Sequence, residues 1–400
     1  MVLPLLWVLL AALALVLGWT TGTAAFSWVA YLMLLTWIAG AIAARIAERG
    51  LVSERHLSVD RIHHGGETTV GLTVANRSRL PLLWLVAAES LPAGLPMTGL
   101  RGRVGPLAAG ASFSFRYTLH GARRGYHELG PTILRTGDIF GLSQRARAAA
   151  GVAALTVFPK IVPITHARLP SRRPVGEVRS RRRVLEDPTQ VVGIRPYQHG
   201  DGLRRIHWRA TAHTGRLQSK LFEISSQVEN MIVLNLRRAD YPGGPSDAED
   251  MAELAVTGAA SIARHVLDRR QRIGLLALGR DPAGEARDGL IRLRPGRDRD
   301  HLTAILSVLG RLELGPSPAL SPVLEREKED LNWGALVVLI TPALPPEAVS
   351  SVLGLRQAGF EVRVVLIGRT TSSRDAAGLE VFGVPTTLVK SEADISGLGI

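Results

Sequence analysis

The chain has 400 residues, and at the roughly 100 to 200 residues typical of one domain this length excludes a single small binding module. Its 48 basic and 35 acidic residues leave a formal net charge of +13, and all but four of the basic residues are arginines. The sequence contains no cysteine, which excludes disulfide scaffolds, thiolate metal sites and cysteine nucleophiles.

Two uncharged apolar segments stand near the start of the chain, Leu3–Trp19 and Ala24–Ala44. At 1.5 Å per residue they would measure about 25 and 31 Å as helices, close to the thickness of a bilayer core. Met1-Val2-Leu3 lacks the basic start of a signal peptide. We therefore expect a transmembrane helical hairpin over residues 1–48.

The charges that flank these segments predict the orientation of the hairpin. The connecting residues 20–23 are uncharged, whereas Arg45, Arg49 and Arg55 follow the second segment. Basic flanks normally remain in the cytoplasm. We expect a cell-membrane protein whose later domains are cytoplasmic and whose first partner is the lipid bilayer.

Residues 57–162 alternate between apolar and polar side chains. The runs Thr68–Val74 and Ser112–Tyr117 have a period of two, and turn signals such as Gly65-Gly66 and Gly105-Pro106 separate such runs. Short strands at this spacing predict a small β-sandwich domain.

Residues 163–194 form a predicted basic linker. Between Lys160 and Lys220 there are 14 basic residues against four acidic ones, and Arg179–Arg183 is the densest cluster. Such a run suits a solvated connector or a contact with anionic lipid headgroups. Nucleic-acid binding through Arg179–Arg183 is a weaker alternative, because neither an aromatic platform nor a known reader motif accompanies the arginines.

From residue 229 to residue 400, apolar runs alternate with helical patterns. This alternation predicts a doubly wound α/β domain with a mostly parallel sheet covered on both faces. Ligands of such sheets bind at the carboxyl ends of the strands, which directs attention to Asn235 and Thr341. The predicted strands are Met231–Leu234, Ile273–Leu278, Leu336–Ile340 and Val362–Ile367.

Familiar catalytic motifs are absent from the sequence. There is no GxxxxGK[ST] nucleotide loop, no HExxH metalloprotease helix and no GxSxG nucleophile elbow. The chain is therefore not predicted to be a P-loop nucleotidase, a zincin or an ordinary serine hydrolase.

The densest local pattern lies in a signature segment, residues 195–228. Asp201 suits a helix N-cap, Leu203–His213 suits three helical turns, and Gly215 suits their end. Asp201 and His207 could form an acid/base pair with Arg204 as an anion clamp. We favour a structural interpretation, in which Asp201 is a cap and Ile206 and Trp208 wedge the helix between two domains.

The string from Arg195 to Gly215 resembles the signature of the bacterial family called domain of unknown function 58. Further matching features are Arg124-Gly125-Tyr126 and the run Thr136–Leu142. The residues of the string that carry the resemblance, and that we take as an interaction segment, are Arg195, Tyr197, Gly200, Asp201, Arg204, Ile206, His207, Trp208, Arg209 and Gly215.

This resemblance implies a von Willebrand factor A-like C-terminal domain. Proteins of the family are typically encoded beside MoxR-type AAA+ ATPases and, often, membrane transglutaminase-like proteins, so these are the implied partners. Von Willebrand A domains often hold Mg²⁺ through Asp-x-Ser-x-Ser, a threonine and a later aspartate. Here Asn235, Arg237 and Ala239 occupy the positions of the first aspartate and the two serines. The later strand is followed by Thr341 and Pro342 and not by an aspartate. We therefore expect a degenerate metal site that holds no cofactor.

The leading hypothesis is a non-catalytic, membrane-anchored adaptor that engages a MoxR-type AAA+ ATPase or its client. One alternative is an enzyme of unrecognised type that uses Asp201, His207 and Arg204 on an anionic substrate. Another is a membrane-proximal nucleic-acid binder that uses Arg179–Arg183.

Overall fold

The structure is a computed structural model and describes most of the chain. The chain is multi-domain and divides into two compact units. Unit 1 comprises Met1–Ile161, Gly279–Gly289 and Thr303–Gly315, and unit 2 comprises Val162–Leu278, Leu290–Leu302 and Pro316–Ile400. The described residues are 2–92, 94–138, 140–165, 186–198, 202, 205–224, 229–284, 288–332, 334–368 and 379–398.

The two N-terminal apolar segments are helices that pack against each other. Helix α1 is Val2–Thr21 and helix α2 is Ala24–Gly50. The indole Nε1 of Trp7 on α1 donates a hydrogen bond to the carbonyl oxygen of Met33 on α2 at 3.0 Å. By length and composition, α2 is the one described helix that is long and apolar enough to cross a membrane, and α1 is a shorter apolar helix.

Helix α2 extends past the predicted end of the hairpin at residue 48. It leads directly into strand β1, Leu51–Leu57, so the β domain begins six residues before the predicted boundary at residue 57. Ala47 on the last turn of α2 and Leu51 on β1 belong to the same apolar core as the β strands. The hairpin and the β domain are therefore one packed unit rather than two parts joined by a loose connection.

The β domain contains two four-stranded antiparallel sheets, with strand orders β1-β3-β7-β5 and β10-β9-β4-β6, and a three-stranded sheet, β2-β11-β8. Its further strands are β2 Arg61–Ile62, β3 Glu67–Asn76, β4 Leu82–Glu89, β5 Met97–Gly99, β6 Gly102–Leu107, β7 Ser112–His120, β8 Gly125–Leu129, β9 Thr132–Gly137, β10 Gln144–Ala149 and β11 Ala153–Val157.

Alternating side chains of both four-stranded sheets form one core, as expected of a β-sandwich. Leu72 of β3, Leu85 of β4 and Leu119 of β7 are completely buried in this core. The core also contains an ion pair, because Arg55 on β1 and Glu89 on β4 lie 2.8 Å apart with side chains 3% and 0% exposed. The period-two runs in the sequence predicted these strands because one face of each sheet is buried.

Strand β12, Glu186–Pro196, pairs in antiparallel fashion with β13, Gln218–Ile224. The predicted basic linker of residues 163–194 therefore ends in a strand from residue 186 onward. Helix α3, Trp208–Thr214, follows β12 and precedes β13 along the chain. Arg179–Arg183 lies outside the described residues, so the structure does not bear on the alternative that rests on it.

The larger sheet has six strands in the order β16-β15-β14-β17-β18-β19. All neighbouring pairs are parallel except β15 with the edge strand β16. Its strands are β14 Glu229–Asn235, β15 Arg272–Leu278, β16 Leu290–Gly296, β17 Leu336–Thr341, β18 Glu361–Ile367 and β19 Thr386–Val389. The helices are α4 Pro245–Asp268, α5 Arg299–Arg311, α6 Leu320–Asp330, α7 Pro346–Gln357 and α8 Glu392–Ile395.

Both faces of the central strands are buried, since the neighbouring residues Met231 and Ile232 on β14 are each 1% exposed. Helices α6 and α7 share an apolar core with β14, β15, β17 and β18, and α4 packs against the same four strands. The four predicted strands and the mostly parallel order are observed. The boundary differs, because Gly279–Gly289 and Thr303–Gly315 group with unit 1 although residues 229–400 were predicted as one domain.

Candidate functional site

The strand order of the six-stranded sheet creates a switch point at its centre. Strand β14 continues through α4 to β15 on one side, while its other neighbour, β17, occurs about 100 residues later in the chain. In open α/β sheets, ligands bind beside the carboxyl ends of the strands at such a point. Asn235 ends β14 and Thr341 ends β17, so the two polar residues chosen from the sequence lie together there.

Asn235 and Thr341 belong to a closed polar cluster, which we define as Asn235, Arg237, Asp240 and Thr341. The Asn235 Nδ2 donates to Thr341 Oγ1 at 3.1 Å and to Asp240 Oδ2 at 2.9 Å. The Asn235 Oδ1 accepts from the backbone N–H of Arg237 at 3.0 Å. The hydroxyl of Thr341 donates to the carbonyl oxygen of Ala343 at 2.8 Å, so the buried polar groups of both residues are satisfied.

Arg237 and Asp240 complete the cluster as an ion pair. The Arg237 guanidinium lies 2.9 Å from Asp240 Oδ1, and the Asp240 side chain is 10% exposed. A short 3-10 turn, Arg238–Asp240, brings the carboxylate back toward the end of β14. Asp240 was not among the residues predicted from the sequence, although the spacing of three residues between a basic and an acidic residue is a signal of such a pair.

These donors do not suit Mg²⁺. A hard cation prefers several carboxylate, carbonyl or water oxygens. Here the carboxylate of Asp240 already binds a guanidinium, and Asn235 directs its amide N–H groups toward Thr341 and Asp240. Ala239, at the other predicted ligand position, is exposed. The residues at the carboxyl ends of these strands therefore do not fit a Mg²⁺ site.

An open cavity lies at the same edge of the sheet, beside the start of α4 and the ends of β18 and β19. Its volume is about 460 Å³, a size typical of pockets that accept small ligands or side chains. Its lining combines apolar Met251 and Leu254 with charged groups from Asp247, Asp250 and Lys390. Among the residues that the structure describes, no three or more His, Asp or Glu side chains are grouped to hold a metal.

The signature segment lies at the end of the β12–β13 ribbon. The backbone N–H of Tyr197 donates to the carbonyl oxygen of Leu217 at 3.0 Å, which closes the ribbon. The guanidinium of Arg195 on β12 donates to the carbonyl oxygen of Pro196 at 3.4 Å. Ile206 forms an isolated bridge to Ser219 and is 4% exposed, so it anchors the segment to β13.

Helix α3 begins later than predicted, at Trp208 instead of Leu203. Its N-cap is His207, whose Nδ1 accepts a hydrogen bond from the backbone N–H of Ala210 at 3.1 Å. The helix ends at Gly215 as predicted, because φ there is +66°, a left-handed conformation that glycine adopts readily. His207 therefore caps the helix.

Trp208 is 66% exposed. Arg209 beside it is also exposed. Gly200, Asp201 and Arg204 lie outside the described residues, so the structure does not bear on the acid/base pair and anion clamp that involve Asp201 and Arg204. The segment instead presents one large aromatic side chain on a short, capped helix.

Comparisons with known proteins cover this part of the chain. Residues 193–362 match the family model described as "Protein of unknown function DUF58". This match supports the DUF58 family. The matched residues, which we call the DUF58 segment, contain both the capped helix with Trp208 and the closed polar cluster.

One curated relative is the "Uncharacterized protein YeaD" of Bacillus subtilis (strain 168), which is 24% identical over 238 residues. The match covers 58% of this chain and 57% of that protein. Among solved structures, the pilus adhesin SpaC of Lactobacillus rhamnosus GG has a TM-score of 0.34 at 11% identity, covering 42% of this chain and 28% of that one. An aerotolerance-related membrane protein of Bacteroides fragilis NCTC 9343 has a TM-score of 0.30 at 13% identity. The match covers 42% of this chain and 94% of that one.

Proposed function

We propose that this chain is a non-catalytic, membrane-anchored adaptor that binds another protein through its DUF58 segment. The observation that carries the proposal is Trp208, whose side chain is 66% exposed on a helix fixed at both ends. Burying an indole that is held out in this way favours binding, because the helix is already ordered before the partner arrives.

The contacts that hold α3 support this role. The backbone N–H of His207 donates to the carbonyl oxygen of Gln218 at 2.8 Å, and the hydroxyl oxygen of Thr211 accepts from the backbone N–H of Gln218 at 3.0 Å. The helix is thus tied to the first residue of β13 at two points. Tryptophan and arginine are enriched among the residues that dominate protein–protein binding energy, and Arg209 follows Trp208 directly.

The closed polar cluster gives no support to bond chemistry at the switch point of the sheet. It is therefore consistent with a binding role for the chain. Asn235 and Thr341 are fully buried, and their hydrogen bonds are made within the protein. The antiparallel edge strand β16 and the strand order are compatible with a von Willebrand factor A-like domain, in which recognition of another protein would not require a metal at this edge.

The partner that we propose is a MoxR-type AAA+ ATPase or its client, as the resemblance implies, with a transglutaminase-like membrane protein as a second partner. The α1–α2 hairpin would span the membrane twice and hold the β domain and unit 2 on the cytoplasmic side. The apolar surface of α2, with Leu35 63% and Ile42 55% exposed, supports this anchoring because lipid would cover it.

The enzyme alternative makes a different prediction for His207. An acid/base catalyst would lose turnover when His207 is replaced by Gln, whereas an adaptor would keep partner binding as long as α3 stays folded. The hydrogen bond from Ala210 N–H to His207 Nδ1 favours the second outcome, because it gives the imidazole a structural role.

Affinity capture tests the proposed function. The full chain, solubilised in detergent from its own cells with a non-hydrolysable ATP analogue present, should recover a AAA+ ATPase. Trp208→Ala should abolish recovery, while Phe382→Ala, which removes another exposed aromatic side chain of unit 2, should leave recovery unchanged. Capture that never recovers an ATPase, or that is equal for both variants, would contradict the proposal.

A further inference from the structure

The turn between β9 and β10 packs directly on helix α2. We call it the Asp138 turn and define it by the described residues Asp138 and Phe140–Ser143; it belongs to the run Thr136–Leu142 that carries part of the family resemblance. A Cβ atom at Gly40 of α2 would lie 3.0 Å from the Cβ of Asp138. The turn therefore touches the helix at a glycine, where no side chain separates the two backbones.

Hydrogen bonds within the β domain fix the shape of the Asp138 turn. The two carboxylate oxygens of Asp138 accept from the backbone N–H groups of Leu142 and Ser143, each at 2.8 Å. The indole Nε1 of Trp84 on β4 donates to the carbonyl oxygen of Asp138 at 3.0 Å. Gly141 has a φ of +70°, which lets the chain reverse within the turn. The turn is therefore held by contacts of its own.

The side chains that the β domain presents here are apolar and exposed. Phe140 is 52% exposed, and its ring stacks on that of Trp7 in α1, with 5.7 Å between ring centroids. Leu83 on β4 is 54% exposed and lines the same cavity against α2 as Phe140, with a volume of about 320 Å³. Leu6 and Leu10 of α1, next to Trp7 and one turn further on, are 51% and 45% exposed. The exposed apolar surface of the hairpin therefore continues onto the β domain.

The position of the contact along α2 places the turn beside the apolar segment Ala24–Ala44. Gly40 lies five residues before Arg45, the first charged residue after that segment, and at 1.5 Å per residue this is about 7.5 Å. Interfacial amphipathic helices bury their apolar side about 5–10 Å into the boundary between headgroups and acyl chains. A hairpin that spans the membrane through this segment therefore carries the Asp138 turn to the depth of that boundary.

We propose that the Asp138 turn is a second membrane contact of the chain, in which Phe140 and Leu83 insert among the lipids at the cytoplasmic boundary of the bilayer. This proposal rests on the membrane anchoring proposed above. Lipid that covers Leu6 and Leu10 of α1 then also covers Phe140, because its ring stacks on the neighbouring Trp7. Among the described residues, the one charged side chain that lines the cavity is Asp138, whose carboxylate is already bound within the turn. The contact is therefore apolar and does not require anionic lipid.

Single cysteines in the full chain test the insertion, because the sequence contains no cysteine of its own. Phe140→Cys and Leu83→Cys are each labelled with an NBD fluorophore and placed in phosphatidylcholine nanodiscs, whose two faces are both open to the buffer. Val152→Cys, at an exposed position beyond the far end of β10, is the matched control. Lipid that carries a nitroxide near the headgroup should quench the labels at positions 140 and 83, and iodide in the buffer should quench the label at position 152 more strongly than either.

A second pair of variants tests the contribution of Phe140 itself, with the label kept at position 83. Phe140→Asp should shift the emission of this label to longer wavelength and reduce its quenching by the lipid nitroxide, because a carboxylate stays in water. Phe140→Leu keeps the position apolar and should leave both signals unchanged. Equal signals for the two variants overturn the proposal.

The other outcomes separate the insertion from the anchoring. Labels at positions 140 and 83 that iodide reaches as readily as the label at position 152 overturn the insertion. Labels that neither iodide nor the lipid nitroxide reaches indicate a contact with protein and overturn it as well. A label on Leu35→Cys that stays shielded from iodide shows that the anchoring holds when the insertion fails. If iodide also reaches position 35, the anchoring fails, and the insertion with it.

Discussion

Asn235 and Thr341 meet across the neighbouring strands β14 and β17, with the Asn235 Nδ2 3.1 Å from the Thr341 Oγ1 and both side chains fully buried. They occupy the point where a sheet of this strand order would place a ligand. Instead, Arg237 and Asp240 close the cluster with an internal ion pair. The cluster therefore stabilises the carboxyl ends of these two central strands. The proposed recognition surface lies elsewhere, at Trp208.

The first prediction concerns this cluster. Thr341→Val should lower the free energy of unfolding of unit 2 by about 1–3 kcal/mol, because it removes both an acceptor for Asn235 and a donor to Ala343 in a buried place. Thr341→Ser keeps the hydroxyl and should cost less. Urea unfolding of the two variants measures the difference. Millimolar Mg²⁺ should not raise the stability of the unaltered chain, and a rise would contradict our account of the cluster.

The second prediction concerns the buried ion pair of the β domain. Arg55→Met should destabilise this domain by about 3–5 kcal/mol, because it leaves the carboxylate of Glu89 buried without its cation. The guanidinium of Arg55 also donates to the carbonyl oxygen of Leu129 at 2.7 Å. Arg264→Met breaks an exposed pair with Asp268 and should cost about 1 kcal/mol or less. If thermal unfolding showed the same loss of stability for both variants, the buried pair would be no more stabilising than the exposed pair.

The third prediction concerns acid stability. Burial lowers the pKa of His127 below its ordinary value of 6.5. The unfolded chain therefore binds a proton near pH 6.5 while the folded chain does not, so the free energy of unfolding should fall as the pH drops from 7 to 5. His127→Leu should flatten this fall in the β domain, and His64→Leu, at an exposed position, should not. A slope unchanged by His127→Leu would refute the prediction.

In unit 2, His265 adds a contribution of the same sign, because burial and the charge of Arg269 lower its pKa. A fluorescence or exchange probe confined to the β domain is therefore needed to isolate the contribution of His127. With a probe of global unfolding, His127→Leu should reduce the slope only in part.

The fourth prediction concerns the membrane anchor. Leu35 lies near the middle of the apolar part of α2 and is 63% exposed. Leu35→Arg should reduce the share of the chain that resists alkaline extraction, since an arginine at the centre of a spanning helix costs about 2.5–3.5 kcal/mol. Leu35→Val keeps the position apolar and should behave like the unaltered chain. Full retention of the Leu35→Arg variant would count against α2 as a spanning helix.

Much of the fold could be predicted because burial leaves a pattern in the sequence. The strands β14, β15, β17 and β18 are apolar throughout, as strands covered on both faces must be. Strand β16 was missed because it lies at an edge and carries Arg292 and Arg294 among its apolar residues. No periodicity in the sequence marks β12 either, because it pairs only with β13 in a two-stranded ribbon.

The candidate site was predicted in part for similar reasons. The rule that ligands bind at carboxyl ends of parallel strands led to Asn235 and Thr341, and these two residues are in contact. Asp240 was missed because a 3-10 turn, whose path the sequence does not reveal, returns it to the cluster. The start of α3 was misplaced because Asp201 is a better cap by residue type than His207, which the structure uses.

The central claim is that Trp208 binds a protein partner, and an affinity measurement with purified components tests it most directly. The full chain in nanodiscs is titrated with a MoxR-type ATPase from the same cells, and the Kd is compared for three proteins. We predict that Trp208→Ala weakens binding by about thirtyfold or more, as expected for a loss of at least ~2 kcal/mol at a dominant interface residue, while Phe382→Ala binds like the unaltered chain. An unaltered chain without measurable affinity, or a Trp208→Ala variant with the same Kd, would contradict the account.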